Sequence, residues 1–230
     1  MKNTKRLSTK ISFLLLIIIV GVILILLFKP VSLPKGYKYS RALNGLYIQR
    51  SWITEVKSDE DLNNLSELLK ELEIKYLFVH HTPFNEDAEL PVISYEGAVK
   101  FLKVIKEKNK EIKILIWVGG IQKTDEKNSK GTFKLNSAEY QEKVIANCRQ
   151  FLEDYDFDGL HLNIEPCKNN DKNFLSLLEG FKSALPPEKI ISIAAMKPYF
   201  LRNPSGNYWS MKYYNQLGKV CNQMVIMGYD

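Results

Sequence analysis

Six short apolar, β-branched runs alternate with amphipathic stretches along most of this 230-residue chain, and that alternation constrains the fold more than any other feature. The runs are 45–53 (GLYIQRSWI), 76–82 (YLFVHHT), 112–118 (IKILIWV), 159–165 (GLHLNIE), 189–196 (KIISIAAM) and 222–229 (NQMVIMGY). Each has the length and composition of a strand. Between them, apolar residues recur at helical spacing. Residues 58–73 bring Leu62, Leu65, Leu68, Leu69 and Leu72 onto one face; residues 94–108 do so with Val99, Leu102 and Ile105, and residues 136–153 with Tyr140, Val144, Cys148 and Phe151. Two further helices are predicted at 172–184 and 210–220. Ser58 and Ser137 precede acidic first-turn residues, as N-caps do.

Strand–helix alternation implies parallel strands joined by right-handed crossovers, either in an open doubly wound sheet or in a (β/α)8 barrel. No G-x-G-x-x-G follows the first strand, so the nucleotide fingerprint of the open sheet is missing. The pattern favours an α/β, TIM-type barrel over 45–230. Closed barrels have eight units and run to roughly 250 residues, whereas six units are legible here. The expectation is therefore a barrel incomplete on its C-terminal side, either a fragment or a fold completed by a partner, because open strand edges invite foreign pairing.

The formal charge of +6 is a topology signal rather than a binding surface. Lys2, Lys5, Arg6 and Lys10 supply four of those charges, and the remainder holds 28 basic against 26 acidic residues. No basic stripe of the kind that binds nucleic acid is present. The four cations precede ISFLLLIIIVGVILILLF, residues 11–28, which as a helix would span roughly 27 Å of bilayer. This predicts a cytoplasmic basic tail at 1–10, a transmembrane signal anchor at 11–28 and a linker at 29–44 in which Pro30, Pro34 and Gly36 discourage regular structure, with the barrel outside a cell membrane. A signal peptide cleaved to release a secreted domain is the alternative, although no A-x-A site follows the run. Cys148, Cys167 and Cys221 are an odd set without C-x-x-C spacing, so neither a full disulfide framework nor a metal site is expected.

The fourth run carries the chemistry. With period two, His161, Asn163 and Glu165 point one way and Leu160, Leu162 and Ile164 the other. The polar three would line the barrel interior, with Glu165 nearest the C-terminal mouth where barrel active sites lie, a position suited to a general acid. The plainer reading is an Asn–Glu pair satisfied by neighbouring backbone. His80 and His81 end the second strand, and Trp52, Trp117 and Trp209 are candidates for stacking on sugar faces. Tyr199, Phe200, Tyr208 and Trp209 form an aromatic group after the fifth strand. No metal or cofactor is called for.

FDGLHLNIEP, 157–166, resembles the fourth-strand signature D-G-x-D-x-D-x-E of the family-18 glycoside hydrolases, with Asp158, Gly159 and Glu165 in matching places. IWVGG at 116–120 resembles the third-strand S-x-G-G motif, with Trp117 for the serine before Gly119 and Gly120. MGYD at 227–230 resembles the sixth-strand M-x-Y-D motif. The resemblance implies retaining, substrate-assisted hydrolysis of an N-acetylated glycan with Glu165 as acid, Asn163, Tyr229 and Asp230 around the acetamido group, and Met227 packed below them. Trp52, Trp117 and His161 would join Met227 in binding the sugar. His161 and Asn163 replace two aspartates of the pattern, and Asn163 neither takes up a proton nor adds charge. A lectin-like barrel that binds glycan without cleaving it is the alternative.

Overall fold

The computed structural model describes residues 17–21, 44–123, 130–199 and 208–228. The chain divides into two compact units, Met1–Ser40 and Arg41–Asp230. Of the expected anchor only residues 17–21 are described, and these are helical. The rest of 11–28, the tail at 1–10 and nearly all of the linker lie outside the described residues. No helix among the described residues is long and apolar enough to cross a membrane.

The second unit is a parallel half-barrel that fits an incomplete (β/α)8 barrel. Its strands β1 (Asn44–Ile48), β2 (Ile74–Pro83), β3 (Lys113–Ile121), β4 (Gly159–Glu165), β5 (Ile190–Ala195) and, after a two-stranded ribbon of β6 (Pro198–Tyr199) and β7 (Trp209–Ser210), β8 (Gln223–Ile226) follow one another. The sheet order is β1-β2-β3-β4-β5-β8, parallel throughout. Helices α1 (Ser51–Thr54), α2 (Asp59–Glu71), α3 (Tyr95–Lys108), α4 (Ala138–Asp154), α5 (Lys172–Ala184) and α6 (Met211–Leu217) complete the order.

All of these helices but α1 start where a side chain satisfies one of their first N–H groups. Ser58 Oγ accepts from the Asp61 amide and Ser137 Oγ from the Tyr140 amide; Ser94, Asp171 and Ser210 cap α3, α5 and α6 in the same way. The core lies between helices and sheet. Leu77 and Val79, Ile114 and Ile116, Leu160 and Leu162, and Ile191 and Ile193 face outward from successive strands onto Leu69, Leu102, Val144, Leu177 and Phe181. Cys148 belongs to this layer, where burial pushes its thiol pKa up; Cys167 and Cys221 are also free thiols.

Three sequence expectations are corrected here. The first strand ends at Ile48, and the Trp52–Ile53 part of its run is a helical turn that buries Ile53, because a short apolar run does not by itself distinguish strand from helix. Leu68, Leu72 and Val99 are exposed, and the buried faces use Ser66, Ala98 and Phe101 in their stead. The ribbon inside the β5–α6 connection was not anticipated.

At the foot of the sheet Asp158 pins three strands. Its Oδ2 accepts from the Ile114 amide at 2.9 Å and lies 3.3 Å from Lys106 Nζ, while its backbone bonds Ile114 and Ile190. Gly159 follows because a Cβ there would lie 2.0 Å from the Ile190 carbonyl oxygen. Asp158→Ala leaves the Ile114 N–H without its partner and is expected to destabilise the domain by about 1–3 kcal/mol, read as a lower urea midpoint at unchanged m.

Candidate functional site

Strand register stacks the interior side chains in rows. The lowest row relevant to the site runs His80, Trp117, His161, Ser192, Gln223, each the register partner of the next. Above it β3 offers Gly119 opposite Asn163 of β4, and β5 offers Ala194 opposite Val225 of β8. The top row includes Ile121 opposite Glu165. Large side chains below and Gly, Ala and Val beside Asn163 leave a hollow at the C-terminal ends of the strands. It is a cleft of about 860 Å³ whose lining includes His80, Trp117, Gly119, Gly120, Asn163, Glu165, Lys197, Tyr208 and Met227.

Gly119 is required at this spot. Its φ of +150° disfavours any side chain, and an added Cβ would lie 1.8 Å from the Asn163 carbonyl oxygen. The close approach of β3 to β4 therefore fixes where Asn163 stands. Its Oδ1 is buried and has no hydrogen-bond partner among the described residues. An Asn–Glu pair satisfied by nearby backbone is not what the strand presents; an unfilled acceptor is. Such a group ordinarily has a partner, and one left orphaned in a cleft marks where a ligand donor fits.

Beneath it lies His161, 1% exposed. Its Nε2 is 3.0 Å from Tyr47 Oη, its Nδ1 is 2.8 Å from Ser192 Oγ, and Ser192 Oγ donates to Gln223 Oε1 at 2.8 Å. Phe78 packs on the imidazole with centroids 4.6 Å apart. Burial lowers the His161 pKa to about 3, so the ring is neutral. The expectation that His161 binds the sugar directly is corrected: the side chain is floor, screened from the cleft.

Trp117 stands in the cleft between Tyr47, met edge-on at 5.2 Å, and His80, tilted at 4.5 Å. Burial and then Arg50 lower the pKa of His80. His81 points the other way, into the helical layer against Phe151, with Nδ1 2.8 Å from Thr82 Oγ1 and Nε2 buried without a hydrogen-bond partner among the described residues. Burial first, then Arg50 and His80, lower its pKa to about 4.

Trp52 is corrected as well: it packs on Phe101 of α3 under Lys57, in the helical layer. Trp209 is core, 1% exposed, with Nε1 donating to the Cys167 carbonyl at 3.0 Å. Tyr229, Asp230 and Phe200 lie outside the described residues. Asp158 is at the foot of β4, away from the cleft. Sequence reasoning missed Tyr47, Ser192 and Gln223, although each sits at an inward position that alternation marks, and it missed Lys197, which follows the fifth strand at the mouth. Among the described residues no group of three or more His, Cys, Asp or Glu side chains is arranged to hold a metal.

The six parallel strands have the order of an incomplete (β/α)8 barrel, with a carboxylic acid at the top of the fourth strand. Residues 47–230 match the model of the glycosyl hydrolases family 18, and the chain belongs to that family. No curated protein matches it in sequence. Among solved structures, the spore cortex-lytic enzyme SleL of Bacillus cereus is 21% identical with a TM-score of 0.60, over 86% of this chain and 44% of that one. A family 18 chitinase of Cycas revoluta is 18% identical with a TM-score of 0.62, over 82% and 55% respectively. A chitinase of Bacteroides thetaiotaomicron is 19% identical at 0.58, over 83% and 55%. The chain thus spans about half the length of these solved relatives.

The two buried histidines make stability depend on pH. Their pKa values fall from the usual 6.5 to about 4 (His81) and about 3 (His161), so on acidification the unfolded chain binds the protons first. Their contribution is complete above about pH 6.5 and is lost as pH falls toward the folded values. At about 1.4 kcal/mol per pH unit, each loses roughly 3 kcal/mol by pH 4. Thermal melts between pH 7 and 4 are expected to show the falling Tm, and His81→Leu should remove about half of the slope.

Proposed function

We propose that this domain hydrolyses a glycan bearing N-acetylated sugars, with Glu165 as general acid and the substrate's own acetamido oxygen as nucleophile. The observation that carries the reading is the vertical pair on β4, a carboxyl at the mouth of the cleft above a buried acceptor, Asn163 Oδ1, that has no partner among the described residues. An acetamido group brings the N–H that such an acceptor lacks.

In the first step the Glu165 carboxyl gives its proton to the glycosidic oxygen as the bond to the anomeric carbon breaks. The acetamido oxygen closes onto that carbon to form an oxazolinium ring, and the leaving sugar departs as an alcohol. Water then attacks the anomeric carbon, Glu165 takes its proton, and the ring reopens with retained configuration. Asn163 accepts from the acetamido N–H and turns its oxygen toward the anomeric face, holding nucleophile and carbon in reach. Being neutral, it gives the cationic ring a dipole where the family pattern supplies a carboxylate. On this reading Tyr229 and Asp230 hold the acetamido group and the sugar, Trp117 offers its face to the pyranose, and Met227 packs below. The solved Cycas revoluta chitinase complex with (GlcNAc)4 supports chitin-type chains as the first substrates to try, and the likeness to cortex-lytic enzymes supports bacterial wall glycan as the second. The run at 11–28, in which only Ser12 and Gly21 are not strongly apolar, lies behind a basic tail and supports a membrane anchor with the domain extracytoplasmic.

Hydrolysis of chitotetraose and of bacterial wall glycan by the full chain tests the assignment. Glu165→Gln is expected to lower kcat by at least about 100-fold, the scale of a general acid; turnover equal to that of the unmodified protein would remove Glu165 from the mechanism. Asn163→Leu separates stability from binding. It removes an orphaned acceptor, so the ligand-free domain should gain about 1 kcal/mol or stay level, while affinity for chitotetraose falls at least about tenfold.

A further inference from the structure

The floor of the cleft has a direction. Gln223 Oε1 only accepts, so the Ser192 hydroxyl spends its proton on that bond, and its lone pair accepts from His161 Nδ1–H. Nδ1 being protonated in a neutral ring, Nε2 is left to accept from the Tyr47 hydroxyl. The chain Tyr47→His161→Ser192→Gln223 runs from β1 through β4 and β5 to β8, and β1 and β8 are the two edges of the sheet. Hydrogen bonding between backbones joins only neighbouring strands; this side-chain relay crosses the interior and joins the edges.

We infer that His161 is a positioning residue, a neutral imidazole held in one tautomer that ties both edges of the half-barrel to β4 and thereby sets the seat of Asn163 two residues further along. Aspartate, the residue of the family pattern, does not serve in this floor. A carboxylate only accepts, so it would draw both hydroxyl protons and oblige the Gln223 amide to turn its NH2 toward Ser192. It would also be a buried charge without a counterion. The groups that face His161 are Tyr47 from β1, Phe78 from β2, Trp117 from β3 and Ser192 from β5, with His80 and Gln223 further along the row, and none is a cation at neutral pH. The two replacements at 161 and 163 are thus one change: the floor and the acceptor above it have both become neutral.

The relay is testable whatever the substrate; only its effect on turnover rests on the reading of Glu165 as the acid. Full chain labelled with ¹⁵N-histidine, its three imidazoles assigned through single His→Gln variants, is examined by long-range ¹H–¹⁵N correlation from pH 8 to 5. His161 is expected as the neutral Nδ1–H tautomer throughout. Ser192→Ala should abolish the single-tautomer signature and Ser192→Thr, which keeps the hydroxyl, should restore it. With chitotetraose, Ser192→Ala should lower kcat about tenfold and Ser192→Thr recover most of it. An Nε2–H ring, a titration with the usual histidine midpoint, or a tautomer indifferent to Ser192→Ala overturns the inference. Should the unmodified protein cleave no glycan, the proposed activity fails, and the tautomer still decides the relay.

Discussion

The approach of β3 to β4 is the contact on which the rest of the cleft depends. Asp158 locks the two strands at the foot through the Ile114 amide, and Gly119 lets them close at the top, where its Cα sits against the Asn163 carbonyl. Between those points the register is continuous from Leu115↔Gly159 to Ile121↔Glu165. A one-residue slip would send His161, Asn163 and Glu165 into the helical layer and the leucines into the cleft. Position, burial and orientation of the three polar side chains follow from that single pairing, with nothing supplied by a loop.

Inside so polar a half-barrel, the cost of burial has to be met group by group. The floor meets it through hydroxyl, imidazole, hydroxyl and amide in series, with His161 and Ser192 each giving one hydrogen bond and receiving another. The row above does not: Asn163 Oδ1 has no partner among the described residues. The same strand therefore carries a fully satisfied residue and an unsatisfied one in adjacent inward positions. That contrast separates scaffold from site better than either the identity or the exposure of the residues does.

Much of this was legible in the amino-acid order, and the reasons for the remainder are physical. β4 and α5 were placed to the residue: β4 strictly alternates polar with apolar, and the structure shows α5 capped by Asp171 and ending just before Pro186. Ser58 and Ser137 were readable as caps because capping is a local bond. The end of β1 was not readable, since Trp52 and Ile53 are apolar in either conformation and only packing on Phe101 decides. Trp209 looked like a surface aromatic from its loop, yet its N–H finds the Cys167 carbonyl forty-two positions away. The relay of Tyr47, His161, Ser192 and Gln223 was illegible for the same reason: its members are common residues on four strands, and register alone makes them neighbours. The family resemblance placed Glu165 on the right strand but could not show that the two changed aspartates belong to one neutral arrangement.

The three tryptophans lie in three different layers of the molecule: Trp52 under a lysine in the helical shell, Trp209 sealed in the core, and Trp117 in the wall of the cleft. The protein is consequently built with its own optical labels. Emission from Trp209 reports whether the core is intact, that from Trp52 whether the shell is in place, and only Trp117 is positioned to sense an occupant of the cleft. A change in fluorescence on adding a sugar can thus be assigned to a single indole without any foreign dye.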